Sequence, residues 1–238
     1  MIPTNIDDFI NFLKNLGIEI LDYQKLESGG EGYTVVYVSN LDTKSEDILK
    51  LCGFSEAKSD LWFIEGFEAS IDNLSESETF LNYFMDLEAE KWQKIIEIRQ
   101  ALDEKQYTQK KENLFRTTHN TPLIAVKWSG RLTLNEPEFK DLLVDLYKIF
   151  LEGSNMETED KLFRCLRYLR NTFIAHDSSK TDQIMVAKDY LRRISGDESP
   201  KKWYQFLSAQ LNLLEDLYKS LENLKSQIEK ISDDVSKA

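Results

Sequence analysis

Glycine and proline are scarce in this chain, nine and four among 238 residues, so few positions offer the punctuation of a strand-and-turn fold and long helices are favoured. Cysteine is rarer still. Cys52 and Cys165 are the only two and each has an apolar residue beside it, which argues against a disulfide framework and makes a reducing, cytoplasmic setting the simplest expectation. The two histidines, His119 and His176, come with no Cys-x-x-Cys or His-Glu-x-x-His spacing, so no metal site is recognisable and no cofactor is implied. Neither a Gly-x-Ser-x-Gly elbow nor a Gly-x-Gly-x-x-Gly loop occurs. No apolar run approaches the roughly 20 residues that span a bilayer, so no membrane partner is expected. The start, MIPTNIDDF, lacks the basic region and apolar core of a signal peptide.

Basic charge is also short. The net charge of −12 excludes a general nucleic-acid coat protein, which needs basic patches to displace counterions. The imbalance is uneven: residues 1–74 carry 14 acidic and 5 basic side chains, and residues 75–156 carry 14 and 11. Residues 157–203 reverse the sign, with 8 acidic and 10 basic side chains, and are the one net-positive region. An anionic ligand is best sought there.

What is present is a hydrophobic content of 41% against 30% charged residues, the balance of a globular protein able to bury a core. Residues 5–16 read as an amphipathic helix, with Ile6, Phe9, Ile10, Leu13 and Leu16 on one side. The polar connection SGGEG (Ser28 to Gly32) leads into a strand at Tyr33–Val38. No Lys-Ser/Thr follows it, so it is a turn and not a phosphate loop. Ser45–Cys52 reads as a helix and Leu61–Phe67 as a strand. Residues 1–72 are therefore expected to form a small acidic α/β domain of unassigned role.

From Ser75 the pattern becomes helical. SESE offers a capping serine, Ser75, with Glu78 three residues on, and apolar residues from Phe80 to Leu102 recur at helical spacing. LIAVKW and RLTL, separated by Ser129-Gly130, suggest a short hairpin, whose tip would present Lys127, Trp128 and Arg131. A helix begins near Pro137 and places Phe139, Leu142, Leu143, Leu146 and Phe150 on one side. Further helices are predicted over Glu157–Ala175, Thr181–Ile194 and from Pro200 to about Ile231. In the last, Leu214, Leu217, Leu221, Leu224, Ile228 and Ile231 form a heptad seam, fitted to a bundle core or to a dimer contact. The expected architecture is mainly α: an antiparallel helical bundle over 75–232 after a small α/β unit, with 233–238 a disordered tail.

One stretch in the positive region stands out: CLRYLRNTFIAHD, Cys165 to Asp177. At 100° per residue from Leu162, the residues Cys165, Leu166, Leu169 and Phe173 fall within about 60° of zero and form a core stripe. Arg164, Arg167 and Arg170 fall at about 200°, 140° and 80°, a basic shoulder. His176 would fall at about 320°, roughly 120° from Arg170, so the two share no ligand on one straight helix. Either the helix ends near Ala175 or two subunits contribute.

The string LRxLRNxxxAH at a bundle helix resembles the motif of HEPN domains, an arginine followed four to six residues later by a histidine, commonly with a polar residue after the arginine. The resemblance covers the helical part alone. It implies metal-independent RNA cleavage by a homodimer, as in toxin and phage-defence ribonucleases, with an antitoxin or regulatory protein as a further partner. His176 would move protons as the RNA 2′-OH attacks the adjacent phosphate, Arg170 would stabilise phosphoryl charge, and Asn171 would orient. Arg164, Arg167 and Lys180 would hold RNA. The tyrosine found two residues after the histidine in one toxin subgroup is Ser178 here. A helical protein that assembles or binds a ligand without catalysis is the alternative class.

Overall fold

The computed structural model describes residues 6–28, 31–65, 74–154, 160–175 and 181–236. The chain forms two compact units, Met1–Phe84 and Met85–Ala238.

In the first unit, α1 (Ile6–Asn15) precedes a hairpin of β1 (Glu19–Ser28) and β2 (Glu31–Ser39), then α2 (Thr43–Leu51), β3 (Ser55–Lys58) and β4 (Leu61–Glu65). The sheet is antiparallel in the order β1-β2-β4-β3. Strand β1 lay hidden in the sequence because its exposed Leu21 and Leu26 blur any alternation. Ser28 of β1 faces Glu31 of β2 in register, so the two ends of SGGEG belong to paired strands. One sheet face is apolar: Val36 lies opposite Trp62, and both are buried along with Phe9, Phe12 and Leu13 of α1 and Leu49 of α2. Asp42 caps α2 by accepting the Ser45 N–H at 2.8 Å.

Helix α3 (Glu78–Lys110) begins in the first unit and continues into the second. Its cap is Ser77, whose hydroxyl accepts the Phe80 N–H at 3.3 Å; the expected cap, Ser75, lies before that turn. The first turns of α3 pack on α1, with Phe80 6.3 Å from Phe12.

The second unit adds α4 (Asn120–Lys127), α5 (Glu136–Phe150), α6 (Lys161–Arg170), a π-helical turn at Asn171–Ala175, α7 (Thr181–Ser195) and α8 (Trp203–Ser236). Helix α5 follows the sequence expectation: Asn135 accepts the Glu138 N–H at 3.0 Å, Pro137 sits in the first turn, and Phe139, Leu142, Leu143, Leu146 and Phe150 are buried.

The hairpin expected around Ser129-Gly130 is absent. LIAVKW is helical, since Ile124 and Trp128, one turn apart, are the side chains that find cover, while Leu123 and Val126 are left exposed. Trp92 secures the turn by donating to the Ala125 carbonyl at 2.7 Å. Helix α8 also outruns expectation, continuing to Ser236 through the presumed tail, where no glycine or proline stops it. Its seam is bundle core: Leu214, Leu217 and Leu221 are buried, and Leu224 and Ile228 pack against the same cluster.

Candidate functional site

The site begins with the capping of α6. Asp160 accepts the Leu162 N–H at 2.6 Å and fixes where the helix starts. Phe163, Cys165, Leu166 and Leu169 are its buried residues, whereas Leu162 is only partly covered. Phe163, at about 100° on the wheel, widens the buried sector beyond the stripe read from sequence. Arg170, at about 80°, therefore lies inside that sector and not on a shoulder with its neighbours. It is half-buried, while Arg164 and Arg167 are exposed.

Among the described residues, two contacts hold Arg170. Its guanidinium stacks on the Tyr147 ring of α5 at 4.9 Å from the centroid, and Nη1 donates to Asn171 Oδ1 at 3.0 Å. The Asn171 bond takes one of five N–H donors. The ring contact restrains the guanidinium, whose fork of donors suits phosphate or carboxylate oxygens. Tyr147 escaped the sequence reading because nothing local to α5 tells which helix its ring will meet.

At Arg170 the backbone changes. The α-helix gives way to the π-helical turn Asn171–Ala175, in which each residue turns through less than 100°. The angle extrapolated to position 176 from a straight helix is therefore invalid. Such turns are rare and concentrate at functional sites. Within this one Phe173 packs on the bundle core, and Thr172 Oγ1 is shut off from solvent with no hydrogen-bond partner among the described residues. His176 and Lys180 lie outside the described residues.

Other sequence candidates resolve differently. His119 is exposed at the start of α4 and makes no capping bond with its side chain. Trp128 is fully buried and donates Nε1–H to Asp145 Oδ2 at 3.0 Å, so it offers no stacking surface to nucleic acid. Lys127 is bonded to Asp141 and Asp145, both at 2.7 Å, and Arg131 stacks on Trp128. Burial opposes charge on Asp145, but hydrogen bonds from Lys127, Trp128 and Lys148 outweigh it and hold the carboxyl below its usual range. Cys52 and Cys165 are buried thiols pushed up by desolvation, which disqualifies them as nucleophiles.

Two of the buried ionisable groups, Glu88 and Arg99, were invisible in the sequence. Glu88 is fully buried, and Oε2 accepts the Gly130 N–H at 2.6 Å. Desolvation raises it to about 8, with the backbone bonds from Gly130 and Arg131 opposing. Arg99 ties three segments together. It donates to the carbonyls of Ile149 at 3.1 Å and Arg116 at 3.3 Å, and pairs with Asp103 at 3.3 Å. Both are anchored by partners distant in sequence, although Glu88 Oε1 is buried with no hydrogen-bond partner among the described residues.

Among the described residues no group of three or more His, Cys, Asp or Glu side chains is placed to hold a metal ion, and no helix is long and apolar enough to cross a membrane. No protein family model matches the chain, and no curated protein or solved structure matches it.

Proposed function

We propose that this protein is an endoribonuclease of HEPN type, cleaving RNA without a metal and working as a homodimer. The observation that carries it is the anchoring of Arg170, on the Tyr147 ring and the Asn171 amide, where α6 turns π-helical in the one net-positive region of the chain. Among the described residues the guanidinium has donors left for a phosphate, and the charge that builds on phosphoryl oxygens is what such a fork stabilises best. His176, six positions on, takes the proton of the RNA 2′-OH as that oxygen bonds to the adjacent phosphorus. The bond to the 5′ oxygen then breaks, that oxygen receives a proton, and a 2′,3′-cyclic phosphate remains. Histidine suits both transfers because its unperturbed pKa lies near neutrality.

The competing class, a non-catalytic helical protein that assembles or binds a ligand, rests on the net charge of −12 and on the heptad seam of α8, of which Leu214, Leu217 and Leu221 are buried in the core of their own bundle. The test is incubation of purified protein with single-stranded RNA in EDTA, with end-group analysis of the products. Wild type should give cyclic phosphate ends, and His176→Ala and Arg170→Ala should each abolish them. Cleavage that survives His176→Ala, or that returns only with Mg²⁺, refutes the assignment.

A further inference from the structure

A second site is open on the same helix. A cleft of about 590 Å³ runs between α6, α7 and α8, within the range of small-molecule sites. It opens near the start of α6, eight residues before Arg170 and therefore about 12 Å along the helix from it. Its lining faces about 300° on the wheel, where Cys165 lies, well away from Arg170.

The apolar part of the lining is Leu162, Cys165, Val186 and Tyr190, from α6 and α7. Val186 is 39% exposed and so presents apolar surface to whatever enters. The charged part holds three acids and three bases, and what distinguishes them is prior commitment. Asp160 caps α6 and accepts the Ser220 hydroxyl at 2.5 Å. Asp216 accepts the Tyr190 hydroxyl at 2.9 Å and Arg193 at 2.5 Å. Asp189 lies 3.4 Å from Arg192, and Lys219 pairs with Glu215 at 3.1 Å. Arg193 is further fixed by stacking on Tyr190 at 4.8 Å. Lys161 and the Asn223 amide line the cleft with no polar partner among the described residues. The uncommitted functionality is thus one cation and one neutral amide beside an apolar wall.

We propose that this cleft binds a small organic anion with an apolar body, its charged group on Lys161 and Asn223 and its body against Leu162, Val186 and Tyr190. The site is separate from the ribonuclease assignment, and either can fail without the other.

Titration with 8-anilinonaphthalene-1-sulfonate, followed by fluorescence on the folded protein, tests it. Saturable binding at one site is expected, displaced by decanoate. The neutral N-phenyl-1-naphthylamine should bind about tenfold or more weakly, the scale of one lost charge-assisted contact. Lys161→Glu, on an exposed side chain, should weaken sulfonate binding by a similar factor without moving the thermal midpoint, and Val186→Trp should block the cleft. The proposal falls if the folded protein does not bind the sulfonate at millimolar concentration. It falls equally if the neutral probe binds as well, or if Lys161→Glu binds like wild type.

Discussion

The guanidinium of Arg170 sits over the ring of Tyr147, 4.9 Å from its centroid, across the interface of α6 and α5. A cation held this way is worth about 0.5–2 kcal/mol, and its larger effect is to fix a long side chain in one orientation. If Arg170 contacts phosphate during cleavage, Tyr147→Ala should slow single-turnover cleavage by about 2–30-fold, the same energy expressed as a rate. Tyr147→Phe, which keeps the ring, should retain the wild-type rate. A Tyr147→Ala protein that folds and cleaves normally would remove the stack from the mechanism.

Glu88 predicts an unusual pH profile. Its folded pKa of about 8 lies above the unfolded carboxyl value of about 4.3, so the native state keeps a proton that the unfolded chain releases. Its contribution is complete below about pH 4.3 and is lost as pH rises through about 8, with a slope of up to about 1.4 kcal/mol per pH unit between them. Urea unfolding across pH 5–9 should show wild type losing stability toward the alkaline end. Glu88→Gln, which keeps an acceptor for the Gly130 N–H but cannot ionise, should flatten that decline.

Asp145 works in the opposite direction. Its folded pKa lies below the unfolded value, so its stabilisation is present above about pH 3.9 and is lost as pH falls through the folded value. Asp145→Ala would strand the buried Trp128 N–H, while Lys127 keeps Asp141, at a cost of about 1–3 kcal/mol. Equilibrium denaturation at pH 7, followed by tryptophan fluorescence, measures this directly.

Arg99→Lys should be nearly as damaging as a larger change. A single ammonium cannot reach the Ile149 and Arg116 carbonyls and Asp103 together, as the planar fork does. A loss of about 2–4 kcal/mol is expected, with early amide exchange in residues 111–119.

Leu217→Asp should unfold the helical unit and not merely alter assembly. Leu217 is 1% exposed in the bundle core, and a buried unpaired carboxylate there is not tolerated. A folded variant of unchanged circular dichroism and altered association state would contradict the intramolecular seam.

Periodicity foretold α3, α5 and α8, because an amphipathic stripe is written within one or two turns of the chain and any apolar partner satisfies it. The strand at 33–38 was legible for the same reason, its β-branched and aromatic residues being crowded together. The mainly α character followed from scarce glycine and proline. Tertiary structure decided the rest, wherever the outcome depended on a partner distant in sequence. LIAVKW became a helix because the face bearing Ile124 and Trp128 was the one that found cover. Arg170 left the basic shoulder because Tyr147, 23 positions earlier, supplied a ring beneath it. Glu88 and Arg99 look like surface charges in the chain, and only packing with Gly130 and Ile149 took them out of water. Local patterns report which face of an element is apolar; what that face meets is set by closing loops tens of residues long, and no local pattern records it.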